Sequence, residues 1–112
     1  MIDRTSLTPQ AFQILLSLAD GTDLHGYAIL QDIAERTGGE IRLTASTLYA
    51  AIKRMLDAGI IAEVDAPAET GGAPRRCYRI TRLGRTVAQA EAERLARAVG
   101  MARDKRLLPR KI

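Results

Sequence analysis

The chain has 112 residues, 46% of them hydrophobic and 27% charged, which fits one ordinary globular domain with no room for a second independent core. One cysteine, Cys77, excludes an intrachain disulfide, and with His25 as the only histidine the ligand set of a zinc site cannot be supplied. The formal charge is +4 but polarised, with residues 1–74 summing to −5 and residues 75–112 to +9, a distribution suited to a polyanion on the basic side.

In chain order, Thr8-Pro9 reads as a helix start, with Thr as N-cap and Pro at the first helical position. Ala11, Ile14, Leu15 and Leu18 then share one face, with Phe12 beside them, and Gly21 stops the helix. A second helix is predicted after Gly21-Thr22-Asp23, with Tyr27, Leu30, Ile33 and Ala34 on one face and Gly38-Gly39 at its end. His25 reads as a structural hydrogen-bonding residue in preference to a pH switch.

A third helix starts at Thr44 and ends at Gly59, with Leu48, Ile52, Met55 and Leu56 as its buried stripe. Its other face carries Ser46, Thr47, Ala50, Lys53 and Arg54, with Tyr49 at the edge. Two short amphipathic helices before a third with a hydroxyl-rich, basic face is the helix-turn-helix arrangement, in which the third helix enters the major groove. Ser46 and Thr47 suit base edges, and Lys53 and Arg54 suit phosphates.

Residues 60–64 are too short for a helix and β-branched, so they read as a strand. Asp65 to Pro74 holds Pro67, Gly71, Gly72 and Pro74 and reads as a loop, and residues 75–81 alternate as a return strand. A hairpin directly after the third helix is a wing. Arg75 and Arg76 lie on it, and adjacent strand residues point to opposite faces, so at most one aims straight at DNA unless the loop twists. Cys77 reads as a plain, partly buried thiol in preference to a redox sensor.

Thr81 caps a final helix to about residue 103. Ala88, Ala92, Leu95, Val99 and Ala102 form a narrow heptad seam suited to a partner helix, while Leu83 and Val87 are expected on the winged domain. The expected fold is therefore mainly α with a small β-hairpin. Residues 1–81 form a winged helix-turn-helix, 82–104 a dimerisation helix, and 105–112 a basic, flexible tail.

A nucleophile–base pair would have to use His25 or Cys77, which fall in different elements, and no phosphate loop ending in Lys-Ser/Thr is present. Neither an enzyme nor a cofactor is expected. No apolar run approaches the roughly 20 residues that span a bilayer. Met1-Ile2-Asp3-Arg4-Thr5 lacks the basic-then-apolar order of a signal peptide, so a cytoplasmic protein without membrane contact is expected.

Taken together, these residues resemble the PadR family of bacterial regulators. The resemblance is carried by Leu7-Thr8-Pro9, by Leu24-His25-Gly26-Tyr27-Ala28-Ile29 and by Thr44-Ala45-Ser46-Thr47-Leu48-Tyr49 with Ile52-Lys53-Arg54-Met55. Leu56-Asp57-Ala58-Gly59-Ile60-Ile61 and Arg75-Arg76-Cys77-Tyr78-Arg79-Ile80-Thr81 with Leu83-Gly84 extend it to about residue 99. The resemblance implies a winged helix-turn-helix with a C-terminal dimerisation helix, and a repressor that binds an inverted repeat in double-stranded DNA as a homodimer. It places Ser46, Thr47, Tyr49, Lys53 and Arg54 on the recognition helix and Arg75 and Arg76 in the wing. Cys77 departs from the bulkier strand residue more usual in the family. The single C-terminal helix implies the short subgroup, in which a small-molecule inducer would bind at the dimer interface or beside the winged core. With no Trp and one Phe, an aromatic-walled pocket is poorly supplied. The alternative is a winged protein-interaction module without specific DNA binding, because the third helix lies in the acidic part of the chain.

Overall fold

The computed structural model describes residues 7–66 and 75–109. Helix α1 (Pro9–Leu18) begins as its sequence dictates: the Thr8 hydroxyl accepts from the Ala11 amide at 3.1 Å, and Pro9 occupies a first-turn position where no N–H is needed. Its stripe of Ala11, Ile14, Leu15 and Leu18 is buried. After a turn through Gly21, which takes φ +88°, two residues form the short strand β1 (Leu24–His25).

Helix α2 (Gly26–Arg36) is capped by His25, whose Nδ1 accepts from the Ala28 amide at 3.3 Å. Its buried positions are Gly26, Ile29 and Ile33. Of the predicted stripe, Ile33 is fully buried as expected. Leu30 packs on the core edge, but Tyr27, expected inside, is 63% exposed. Ile29, two residues on, takes the buried position instead. Arg36 then locks α2 to α1, donating to the Gln13 carbonyl (2.9 Å), the Gln13 side chain (2.9 Å), the buried Ser17 hydroxyl (2.8 Å) and Asp32 (2.7 Å).

Helix α3 (Ala45–Asp57) buries Leu48, Ala51, Ile52 and Met55. It ends on Gly59 at φ +75°, with the Ile60 amide returning to the Met55 carbonyl at 3.1 Å, the six-to-one bond of a left-handed helix stop. Strands β2 (Ile61–Ala66) and β3 (Arg75–Ile80) pair antiparallel, with Ile61 opposite Ile80 and Asp65 opposite Arg76. The loop predicted between them falls largely on residues 67–74, outside the described residues.

The sheet has three strands in the order β1-β3-β2, so the predicted hairpin gains a strand on its far side: Leu24 pairs with Tyr78 and His25 with Cys77. Two residues carry no readable alternation, which is why sequence pattern passes over β1. It stitches the start of α2 to the wing. Cys77 and Tyr78 are both buried.

Helix α4 (Arg82–Asp104) is capped by Thr81, whose hydroxyl accepts from the Gly84 amide (3.0 Å) and donates to the Gly59 carbonyl (2.7 Å). A Cβ at Gly84 would collide with the Ile60 backbone carbonyl, so α4 leaves the sheet in direct contact with the α3–β2 turn. Arg85 donates to the Ala19 carbonyl at 2.8 Å and ties α4 to the end of α1. Val87 packs on the core as expected, whereas Leu83 remains 45% exposed. Ala88, assigned from spacing to the dimerisation seam, packs against the core of its own chain. Beyond α4, Arg106 takes φ +63° and the Leu107 amide reaches the Ala102 carbonyl at 2.8 Å. No helix among the described residues is long and apolar enough to cross a membrane.

Candidate nucleic-acid interface

The surface that matters is built on α3. Its N-terminus is organised by hydroxyls: Thr44 Oγ1 accepts from the Thr47 amide at 3.1 Å, donates to Thr47 Oγ1 at 2.9 Å and lies 3.3 Å from Ser46 Oγ. The Thr47 hydroxyl, accepting from Thr44, keeps its own proton to donate. All three residues are exposed.

Helical spacing of about 100° per residue divides the predicted contact residues into three groups. Ser46, Ala50, Lys53 and Asp57 lie opposite the buried stripe, on the face turned to solvent, and all are exposed. Tyr49 lies on the flank toward α2 and the sheet. Thr47 and Arg54 lie on the other flank. There Arg54 lines an apolar cavity of about 220 Å³ with Leu7, Ala11, Met55, Ile60 and Val87, between α1, α3 and the start of α4. The five predicted residues thus share one helix but not one face.

Tyr49 is held by a residue the candidate set omitted. A Cβ on Gly26 would fall on the Tyr49 ring and hydroxyl, so only glycine at the start of α2 lets the tyrosine lie there. Tyr49 is 49% exposed, one side on the helix backbone and the other in solvent. Close by, burial raises the Tyr78 phenol above its usual range, with the neighbouring Tyr49 and Glu63 adding to the effect. Tyr49 thus links α3 to the start of α2 and lies near β3. The His-Gly-Tyr and Thr-Leu-Tyr motifs contain both partners, but only the fold shows that the glycine serves the second tyrosine.

Among the described residues, two arginines of β3 are paired. Arg76 Nε lies 3.0 Å from Glu63, and Arg79 makes a two-pronged contact with Asp23 at 2.9 and 2.8 Å. The hydrogen bond from Arg79 holds the Asp23 carboxyl below its usual range. Register puts Arg76 on the sheet face that carries Glu63, Asp65 and the buried Tyr78. Arg75 is placed in the ladder opposite Ala66, and its side chain lies outside the described residues. No group of three or more His, Cys, Asp or Glu that could hold a metal is found among the described residues.

Comparison with known proteins agrees with this architecture. Residues 14–90 match the family model described as the transcriptional regulator PadR-like family. An uncharacterized protein of Lysinibacillus sphaericus is 36% identical over 72 residues, which cover 64% of this chain and 65% of that protein, so the match spans just under two thirds of the relative's length. Among solved structures, a transcriptional regulator from Clostridium thermocellum is 28% identical and superposes with a TM-score of 0.69 over 83% of this chain and 88% of its own. A PadR family regulator from Clostridium difficile shares the fold at 24% identity, with a TM-score of 0.70 over 83% and 95% of the two chains. Bacillus subtilis PadR, solved in complex with operator DNA, shares it at 23% identity and a TM-score of 0.67, over 77% of this chain and 48% of that one. With the family match covering both the helix-turn-helix and the wing, the chain belongs to the PadR-like family of transcriptional regulators.

Proposed function

We propose that the protein is a homodimeric repressor that binds an inverted repeat in double-stranded DNA, with α3 in the major groove and the β2–β3 wing on the adjoining backbone. The observation that carries this reading is the outward face of α3, where Ser46 and Lys53 stand exposed beside the exposed edge of Tyr49. Short hydroxyls near the N-terminus of a groove-sized helix can donate to or accept from base edges, and Lys53 one to two turns on meets phosphate. The operator complex of the Bacillus subtilis neighbour supports the choice of DNA as the ligand.

Dimerisation is assigned to α4. Ala92, Leu95 and Val99 are exposed along it at heptad spacing, with Ala102 following, and such a stripe is suited to a second helix. A two-fold pairing of these helices sets the two recognition helices facing successive grooves. Release by a small molecule would use the apolar cavity beside the winged core, because it touches α3 and α4 together. Such a regulator acts in the cytoplasm and turns over no substrate.

The test is fluorescence anisotropy of the purified protein with labelled DNA from directly upstream of its own gene, at two salt concentrations, against a scrambled duplex. Preferential binding of one dimer per upstream site is expected. A second reading, a protein-interaction module, is favoured by the acids that already neutralise Arg76 and Arg79. Absence of binding to either duplex at low salt would select it.

A further inference from the structure

Arg76 lies on β3, in the wing whose β2 strand packs against α3. Register puts it on the same sheet face as Tyr78, which is buried near Tyr49. Two carboxylates share that face. Asp65 is directly opposite Arg76 in the ladder, and Glu63, two pairs nearer the core, holds the guanidinium at 3.0 Å. The pair is open to water, with the Arg76 side chain 67% and the Glu63 side chain 37% exposed. An ion pair so exposed adds little to folding, so stability does not explain it. A phosphate oxygen is an equivalent acceptor for the same guanidinium, so Glu63 and a DNA backbone compete for Arg76.

We propose that Glu63 is a specificity-determining residue: by occupying Arg76 it weakens contact with phosphates of any sequence and leaves discrimination to α3. Phosphate contacts position a protein on the duplex and supply nearly all of its non-specific affinity, but they carry no direct sequence information. A wing that held every cation free would raise affinity for all DNA alike and lower the ratio of specific to non-specific binding. The inference rests on the DNA-binding reading above.

The experiment uses a random-sequence duplex as probe and measures its affinity over a salt series for the wild-type protein, Glu63→Gln, Arg76→Ala and the double variant. Glu63→Gln keeps the side chain's shape at an exposed position. It is expected to bind the random duplex several-fold more tightly at low salt, with a slope of log affinity against log salt steeper by about one. In the Arg76→Ala background the same change is expected to have little effect. Equal affinity of Glu63→Gln and wild type would overturn the inference, as would a gain of the same size without Arg76, which would be a general charge effect. A wild-type protein that bound no duplex would overturn the DNA-binding reading and this inference with it.

Discussion

Two glycines show how a missing side chain can serve different ends. At Gly84 an added Cβ meets the Ile60 backbone carbonyl, which cannot move without shifting the α3–β2 turn. Gly84→Ala is expected to lower stability by about 1–3 kcal/mol, the range of an overpacked core site, as read from urea unfolding. At Gly26 the obstacle is the far end of the Tyr49 side chain, which can swing away, and alanine at a helix start recovers some backbone entropy. Gly26→Ala is therefore expected to change stability by under ~1 kcal/mol yet weaken DNA binding, because it displaces Tyr49. A variant that unfolded like Gly84→Ala and bound DNA normally would contradict this role for Tyr49. Acidic pairs give a pH signature at the same scale. A hydrogen bond from Arg36, then one from Ser17, lowers the Asp32 carboxyl from its ordinary 3.8. A depressed carboxylate contributes stability that is complete above 3.8 and lost as pH falls through the folded value. Because this pair is part-exposed the contribution is small. The gap in urea midpoint between wild type and Asp32→Asn should close as pH falls from about 6 to about 3. A constant gap would mean that the pair does not titrate in this range.

At the scale of elements, helix ends were the most legible part of the sequence. Thr8, Thr44 and Thr81 each cap the helix they precede, and Gly21, Gly38, Gly39 and Gly59 all take positive φ. Local chemistry decides such positions, so local sequence reveals them. Phase within α2 was less legible, because Tyr27 and Ile29 are both apolar enough to claim the inside and the choice falls to contacts with α1. The strand β1 was not legible, since it consists of two residues made a strand only by β3. The candidate contact residues of α3 are legible as a set but not as a surface. Lys53 lies on the outward face, whereas Arg54 lies on the flank beside α1 and α4. Lys53→Ala is expected to reduce the salt slope of DNA binding by about one, with affinity falling for all sequences alike. Arg54→Ala is expected to reduce it less. Equal slopes for the two variants would show that the flank also reaches the backbone. Glu63 could not be found from sequence, because its pairing with Arg76 depends on strand register across the hairpin.

The 23 residues of α4 extend about 34 Å, and Leu95, Val99 and Met101 in its outer half stay open to solvent in the single chain. Ala88 packs against the core, so the proposed dimer seam is reduced to Ala92, Leu95, Val99 and Ala102. Charged residues at Leu95 and Val99 together are expected to give monomers in sedimentation, with DNA affinity lowered at least tenfold because the second half-site is no longer linked to the first. A double variant that remained dimeric would place the interface elsewhere. The central claim is that two copies of α3, set by a two-fold axis, read DNA together. Its most direct test is selection of bound duplexes from a random-sequence pool by the purified wild-type protein. The account predicts enrichment of a pseudo-palindrome with half-sites about 10 base pairs apart. Recovery of no motif, or of a single unpaired half-site, would contradict it.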